Sequence, residues 1–315
     1  VNQDIRRAAE ILRAGGLVAF PTETVYGLGA DASSAAAVAR LYAAKGRPAD
    51  HPVIVHFADA TQAFAWAREV PEAARRLAAK FWPGPLTMVL RRSSLAGDFV
   101  TGGQDSVGLR VPSHPVAQEL LRAFGEGPDG RRFSGVAAPS ANLFGKVSPT
   151  SAAHVRDDLA GKVELVLDGG SSEVGIESTI VDLTGPGLVL LRPGRISRQQ
   201  IENEIQTEVG EPTPSSPRHS GGLEKHYAPQ TPARLVPPHE LDAVLATLGA
   251  TVAVLAFSKP DERVDYWIRM PRDAAAYAQK LYAALRELDG AGCATILIEA
   301  PPGTDEWIAV SDRLS

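Results

Sequence analysis

The sequence predicts an α/β protein built as two domains joined by a linker, and three observations predict it. Short apolar runs of strand length alternate with stretches of helical periodicity along the whole chain. The 315 residues exceed what one hydrophobic core usually organises. Residues 211–230 then break the pattern, with Pro212, Pro214, Pro217, Gly221, Gly222 and Pro229 set among serines, a linker by composition. On this reading residues 1–208 form the first domain, 209–230 the linker and 231–315 a smaller second domain.

The elements follow in order. Ile5, Ala8, Ala9, Ile11 and Leu12 recur at helical spacing, and Gly15-Gly16 ends that helix. Residues 17–20 are an apolar run that suits a buried strand, and Pro21 closes it because proline donates no ladder hydrogen bond. A polar turn is expected over 21–28. Helices are expected at 35–44, 60–67, 71–81 and 114–124, and strands at 53–57, 87–91, 107–111, 136–138, 164–167, 179–183 and 188–191. Ser197 reads as the N-cap of a helix through Ile205. Beyond the linker, strands at 233–236, 250–257 and 295–299 alternate with helices at 240–248 and 274–288, the pattern of a small, open, Rossmann-like sheet.

Composition narrows the function. Hydrophobic residues make up 44% and charged residues 22%, the balance of a soluble globular protein. A net charge of -5 gives no global reason to expect a nucleic-acid binder, although a local basic cleft is compatible with it. The single cysteine, Cys293, excludes a disulfide within the chain and fits a reducing cytoplasm. No segment approaches the roughly 20 apolar residues that span a bilayer, and the start of the chain has no apolar signal-peptide core, so a cytoplasmic protein without a membrane partner is expected.

Several motifs fail on context. Residues 125–130 match G-x-G-x-x-G, but they follow a helix, contain proline and lead into Arg131 and Arg132, which makes a surface turn. There is no P-loop, no G-x-S-x-G elbow, and no histidine spacing that pairs metal ligands.

Others survive. FPTETVYGLG (20–29) releases two hydroxyls and a carboxylate from a strand end, where a sheet presents ligand-binding groups. KGRP (45–48) ends a helix with two cations suited to carboxylate or phosphate oxygens, although cations at a helix C-terminus also serve the dipole. APSAN (138–142) sets a hydroxyl and an amide two residues apart, as an ordinary Ser or Asx turn also does. Arg110 lies inside an apolar strand, so an anionic partner is expected, from substrate or protein. His56 ends a strand and reads first as a satisfied core histidine.

Taken in order, FPTETVYGLG, KGRP, a strand ending in His56, WPGPLT, GLRVP, APSAN, ESTIVDL and LRPG resemble the Sua5/YrdC/YwlC family, and SGGLEKHYAP before a small α/β domain resembles its longer, Sua5-type members. The resemblance runs from about Asp4 to the C-terminus. It implies a YrdC-like twisted-sheet α/β domain with a concave active-site surface, followed by a Sua5 C-terminal domain. It also implies synthesis of threonylcarbamoyl-AMP and pyrophosphate from L-threonine, bicarbonate and ATP, the first step of a modification at adenosine 37 of tRNA.

By position, the resemblance makes Lys45, Arg47, Ser140 and Asn142 the catalytic set. It assigns L-threonine to Thr24, His56, Arg110, Ala138, Ser140 and Ser178. It assigns ATP to Lys45, Arg47, His51, Ser106, Ser140, Asn142 and Arg192, with Tyr227 reaching back from the linker. Mg2+ would ride on the ATP phosphates rather than on protein ligands, and the product would pass to the tRNA threonylcarbamoyl-transfer machinery, with contact to tRNA or double-stranded RNA conceivable. The sequence departs from the family at His51, where asparagine is frequent, after APSAN, and in the linker. The rival readings are a non-catalytic RNA-binding protein and a different carbamoyl-adenylate transferase on the same fold.

Overall fold

The alternation of side chains along each strand decides what the first sheet buries and what it offers to a ligand. In the computed structural model, which describes residues 3–48, 50–125, 134–222, 228–248, 251–262 and 264–315, that sheet has nine strands. They are β1 (Val18–Phe20), β2 (Gly27–Asp31), β3 (Ile54–His56), β4 (Leu86–Arg91), β5 (Ser106–Arg110), β6 (Val136–Ala137), β7 (Leu165–Val166), β8 (Thr179–Asp182) and β9 (Val189–Arg192). Their spatial order is β7-β1-β2-β6-β3-β5-β4-β8-β9, with parallel and antiparallel neighbours mixed.

Leu86, Met88 and Leu90 of β4, Val107 and Leu109 of β5, Val55 of β3 and Val181 of β8 point into one core. The helices Ala60–Ala65, Glu72–Phe81 and Arg198–Ile205 cover it. The intervening positions, Ile54, His56, Thr87, Val89, Ser106, Gly108, Arg110 and Ile180, therefore share the opposite face. Register holds them in step: Val89 pairs with Gly108, Ile54 with Gly108, His56 with Arg110, and Thr87 with Ile180. Burying the first set drives the sheet together, and the second set is left to form a site.

The second sheet comprises β10 (Ala233–Val236), β11 (Val252–Ala256), β12 (Tyr266–Arg269) and β13 (Thr295–Glu299), in the order β10-β13-β11-β12 with every pair parallel. Strand β11 is buried along its whole length. Ala253 and Leu255 pack towards the helix Ala274–Asp289, while Val252 and Val254 pack towards the helix Leu241–Thr247. Helices on both faces are what a parallel sheet requires.

The two sheets meet through Val25, Val147 and Ile176, which join the core around Tyr277 and Leu281. Arg286 forks onto Asp158 at 2.6 and 3.2 Å and spans the same junction. No described helix is long and apolar enough to cross a membrane.

The structure adds what the periodicity did not show. The stretch read as a turn to residue 28 becomes strand β2 from Gly27 onward, pairing with β1 and β6. The helices Ala152–Leu159 and Ile308–Leu314 and the edge strand β12 were also not expected. Ser197 caps its helix with a full capping box, its hydroxyl accepting from the Gln200 amide while the Gln200 side chain accepts from the Ser197 amide. The expected turn after Gly125, over 126–130, lies outside the described residues.

Candidate active site

The helix Ala35–Lys45 ends on Gly46, whose φ of 66° is left-handed and whose amide donates back to the helix carbonyls. That cap turns the chain so that Lys45 and Arg47 both point inward, 2% and 7% exposed. Lys45 Nζ donates to the carbonyls of Ser140 and of Asn142, the latter at 2.5 Å, so it gathers the 138–142 turn around itself. Burial, reinforced by the Arg47 charge, holds the Lys45 ammonium well below its usual pKa.

Arg47 donates to the Pro52 carbonyl at 2.8 Å and lies over the Phe144 ring at 6.0 Å, which the His51 ring meets edge-on. His51 is partly buried, and desolvation followed by Arg47 lowers its pKa. Asn142 donates through Nδ2 to Leu143 and Lys146, both at 2.8 Å, while its buried Oδ1 has no partner among the described residues.

Arg110 has the anionic partner its burial demanded, and that partner is protein. Its Nη2 donates to Glu23 Oε1 at 2.7 Å and to Thr24 Oγ1 at 2.9 Å, and Nε to the Gly84 carbonyl at 3.4 Å. Glu23 also accepts from the Ser113 amide at 3.0 Å, so the carboxylate is held from two sides. Thr22 and Thr24 share a hydroxyl hydrogen bond of 2.8 Å. His56, register partner of Arg110, is buried; desolvation and then the Arg110 charge push it down to about 3, a neutral imidazole. Among the described residues its buried Nδ1 has no hydrogen-bond partner, while the backbone carbonyls of Ile54 and Val136 act on the ring in the opposite direction to desolvation. Ala138 spends its amide on the Ile54 carbonyl at 3.0 Å, tying the turn to β3.

A third group sits at β8 and β9. Ser178 Oγ is 2.8 Å from Thr87 Oγ1. Arg192 donates to the Ser178 carbonyl from Nε at 3.0 Å and Nη2 at 2.9 Å, and to the Ser178 hydroxyl at 3.2 Å. Gly194 permits this approach, because a Cβ there would lie 2.5 Å from the Thr179 amide.

The linker crosses these groups as a strap. The Ser220 carbonyl accepts from Arg192 Nη1 at 2.8 Å, its hydroxyl donates to the Pro52 carbonyl at 3.1 Å, and Arg47 Nη2 lies 3.4 Å from that hydroxyl. Arg218 is clasped by Gln104 through two hydrogen bonds of 2.6 and 3.0 Å. Between strap and sheet lies a narrow crevice lined by Thr87, Ser106, Gly108 and His219. His219, partly buried there, is lowered to about 4, by desolvation first and then Arg192.

Lys45, Arg47, His51, Ser140 and Asn142 thus form one cluster, Thr24, His56 and Arg110 a second, and Ser106, Ser178 and Arg192 line the third, with Ser220 joining Arg47 to Arg192. Tyr227 lies outside the described residues. Reading the sequence noted the Glu23 carboxylate but not its pairing with Arg110, and it missed Thr87, His219 and Ser220. The pairing was findable, Glu23 being the one carboxylate inside the first motif when Arg110 needed a partner. The others are ordinary polar residues until the fold collects them. Among the described residues no group of three or more His, Cys, Asp or Glu side chains is placed to hold a metal.

A mixed sheet whose open face gathers the buried Lys45, Arg47, Arg110 and Arg192, two of them joined by Ser220, has the chemistry to receive an anionic small molecule. Comparison with known proteins specifies it. The family model described as telomere recombination, Sua5/YciO/YrdC, matches residues 10–194, and the model described as threonylcarbamoyl-AMP synthase, C-terminal domain, matches residues 196–315. The chain belongs to the Sua5/YciO/YrdC family. It is 41% identical to the threonylcarbamoyl-AMP synthase of Pyrococcus abyssi, over 98% of this chain and 92% of that one. It is 39% identical to that of Bacillus subtilis, over 99% and 92%. The crystal structure of P. abyssi Sua5 complexed with L-threonine superposes with a TM-score of 0.89 at 40% identity, covering 98% of this chain and 92% of that one. A putative threonylcarbamoyl-AMP synthase of Mycobacterium tuberculosis matches only 66% of this chain, though 92% of its own length. HypF of T. kodakarensis, at 18% identity and a TM-score of 0.52, shares the fold over 61% of this chain and 24% of its own.

Proposed function

We infer that this chain is an L-threonylcarbamoyladenylate synthase, joining L-threonine, bicarbonate and ATP into threonylcarbamoyl-AMP with release of pyrophosphate and water. The observation that carries the reading is the convergence of Lys45, Arg47 and Arg192, all buried, on the 138–142 turn and Ser220. Burying three cations together is unfavourable, and polyanionic phosphates offset that cost directly.

The threonine amine attacks the bicarbonate carbon and a C–O bond breaks to release water, the amine and bicarbonate supplying the protons, which gives an N-carboxy group. The carboxylate of that group attacks the α-phosphorus, the bond to the β-phosphate bridging oxygen breaks, and pyrophosphate leaves. Little of this asks for covalent help from protein; positioning and charge neutralisation supply most of the catalysis. Arg110 holds the threonine carboxylate, oriented by Glu23. Thr24, Ser178 and the neutral His56 read the amine and hydroxyl, and Ala138 and Ser140 line the turn beside them. Lys45, Arg47 and Arg192 carry the phosphates and the carbamate, with Asn142, Ser140, Ser106, His51 and Tyr227 as further residues for the nucleotide. Mg2+ arrives as part of the nucleotide, since a hard cation is held by phosphate oxygens and water. The strap excludes water from the mixed anhydride, and an acyl-transfer step to tRNA consumes that product.

Pyrophosphate release that requires both L-threonine and bicarbonate, and falls by about a hundredfold or more in Lys45→Ala and Arg47→Ala, is the expected result. Release indifferent to threonine from folded protein would refute the assignment. Deleting residues 221–229 is expected to lower the yield of adenylate per ATP consumed; an unchanged yield would remove the strap from the mechanism.

A further inference from the structure

The motif that the site did not absorb is its acidic member, Glu177. This carboxylate is buried, and it faces away from the ligand groups towards the second domain. Arg313, on the helix Ile308–Leu314, donates from Nε to Glu177 Oε2 at 2.7 Å and from Nη2 to the Glu177 carbonyl at 3.3 Å. Tyr282, on the helix Ala274–Asp289, donates to the same Oε2 at 2.9 Å, and Ser148 to Oε1 at 2.5 Å. Burial alone would raise the Glu177 pKa; Arg313, Arg192 and the Ser148 hydroxyl outweigh it and keep the carboxyl ionised.

The next residue is Ser178, whose carbonyl and hydroxyl take three hydrogen bonds from Arg192. A continuous chain of polar contacts therefore runs from the C-terminal helix to a cation of the site. Among the described residues Arg313 is also the only charged side chain of residues 231–315 that is buried. The domain spends that one buried charge on this contact.

We propose that Arg313 and Tyr282 are positioning residues for nucleotide binding: by gripping Glu177 they fix the backbone at Ser178, and Ser178 aims Arg192. The proposal rests on the reading of Arg192 as a phosphate-binding residue. Adhesion between the domains does not account for the pair, because Val25, Val147 and Ile176 already bury apolar surface there. A buried ion pair is a poor source of net stability compared with apolar residues of the same volume. What it adds is a defined geometry, from a guanidinium fork that reads both the carboxylate and the carbonyl of one residue.

The test is a double-mutant cycle on the full chain, reading KM for ATP and kcat in threonine-dependent pyrophosphate release, with melting temperature alongside. Arg313→Met is expected to raise KM for ATP about tenfold in the native background and less than about twofold in an Arg192→Lys background, the non-additivity of residues that act in series. Equal effects in both backgrounds, or an unchanged KM in folded Arg313→Met, would overturn the proposal. An unchanged KM in Arg192→Lys alone would instead remove the nucleotide role of Arg192, and the proposal with it. If Arg313→Met does not fold, Tyr282→Phe removes one neutral hydrogen bond to the same carboxylate. It carries the same background dependence at about threefold in KM.

Discussion

The two domains solve opposite packing problems. The nine-stranded sheet buries Glu23, Lys45, Arg47, His56, Arg110, Glu177 and Arg192, while the four-stranded sheet buries apolar side chains and, among the described residues, the single charge of Arg313. A charge taken out of water costs several kcal/mol unless it is paired, so the first domain carries a large internal electrostatic load and the second almost none. Stability and chemistry therefore compete in the first domain, where the same groups are structural and functional. The second is free to be a well-packed parallel sheet, and its influence on chemistry narrows to one contact. The largest effect of substitution is expected where that load is heaviest.

Arg110→Met leaves Glu23 buried without its guanidinium and is expected to cost about 3–5 kcal/mol of stability, measured by urea denaturation. Adding Glu23→Gln should recover much of that loss, because the penalty belongs to the uncompensated carboxylate. A double variant no more stable than the single one would show that shape, not charge, limits this part of the sheet. In the second domain a loss of about 3 kcal/mol takes a cavity in the core, as in Leu281→Ala at the fully buried Leu281, and should leave KM for L-threonine unchanged.

How much of this was legible beforehand follows the same division. Strands with clean alternation, such as β4 and β5, and helices with an apolar stripe and a cap, such as Arg198–Ile205, were readable because local pattern and tertiary burial agree. Strand β2 was hidden: Gly27 and Gly29 dilute the hydrophobic signal, and only its neighbours β1 and β6 make it a strand. The helix that carries Arg313 was missed because it is seven residues long with serine, aspartate and arginine in its second half. Site residues quoted from motifs fell into adjoining clusters, yet their partners did not show. That Arg110 faces Glu23, or that Glu177 faces the C-terminal helix, depends on separations of 87 and 136 residues that no local pattern encodes.

Acid should separate the domains next. The histidines with lowered pKa values, His51, His56, His154 and His219, all lie in residues 51–219. His56 titrates near its ordinary 6.5 when unfolded and at about 3 when folded, so the unfolded chain binds the extra proton between those values. Its contribution is complete above pH 6.5 and is lost as pH falls towards 3, a loss of about 3 kcal/mol by pH 4. His219, at about 4, adds in the same direction. Urea denaturation at pH 8 and pH 4 should show this loss in the native chain and a shallower one in His56→Gln. Equal slopes in the two proteins would mean that His56 protonates without penalty.

The smallest effect sharpens the comparison most. Ser197 and Asp273 are equivalent devices in the two domains, each N-cap accepting from the amide three residues on, at 3.2 and 2.8 Å. Replacing either with alanine removes one capping hydrogen bond and should cost about 1 kcal/mol. If the second domain reaches the site only through Arg313 and Tyr282, Asp273→Ala will lower the melting temperature while KM for ATP stays at its native value. The helix it caps also carries Tyr282, so a frayed first turn that raised KM would show the influence travelling through the body of the helix rather than through the Glu177 contact. Ser197 stands five residues beyond Arg192. The same loss of stability there should come with a modest rise in KM for ATP, because the helix start it fixes is continuous with the turn that carries the arginine.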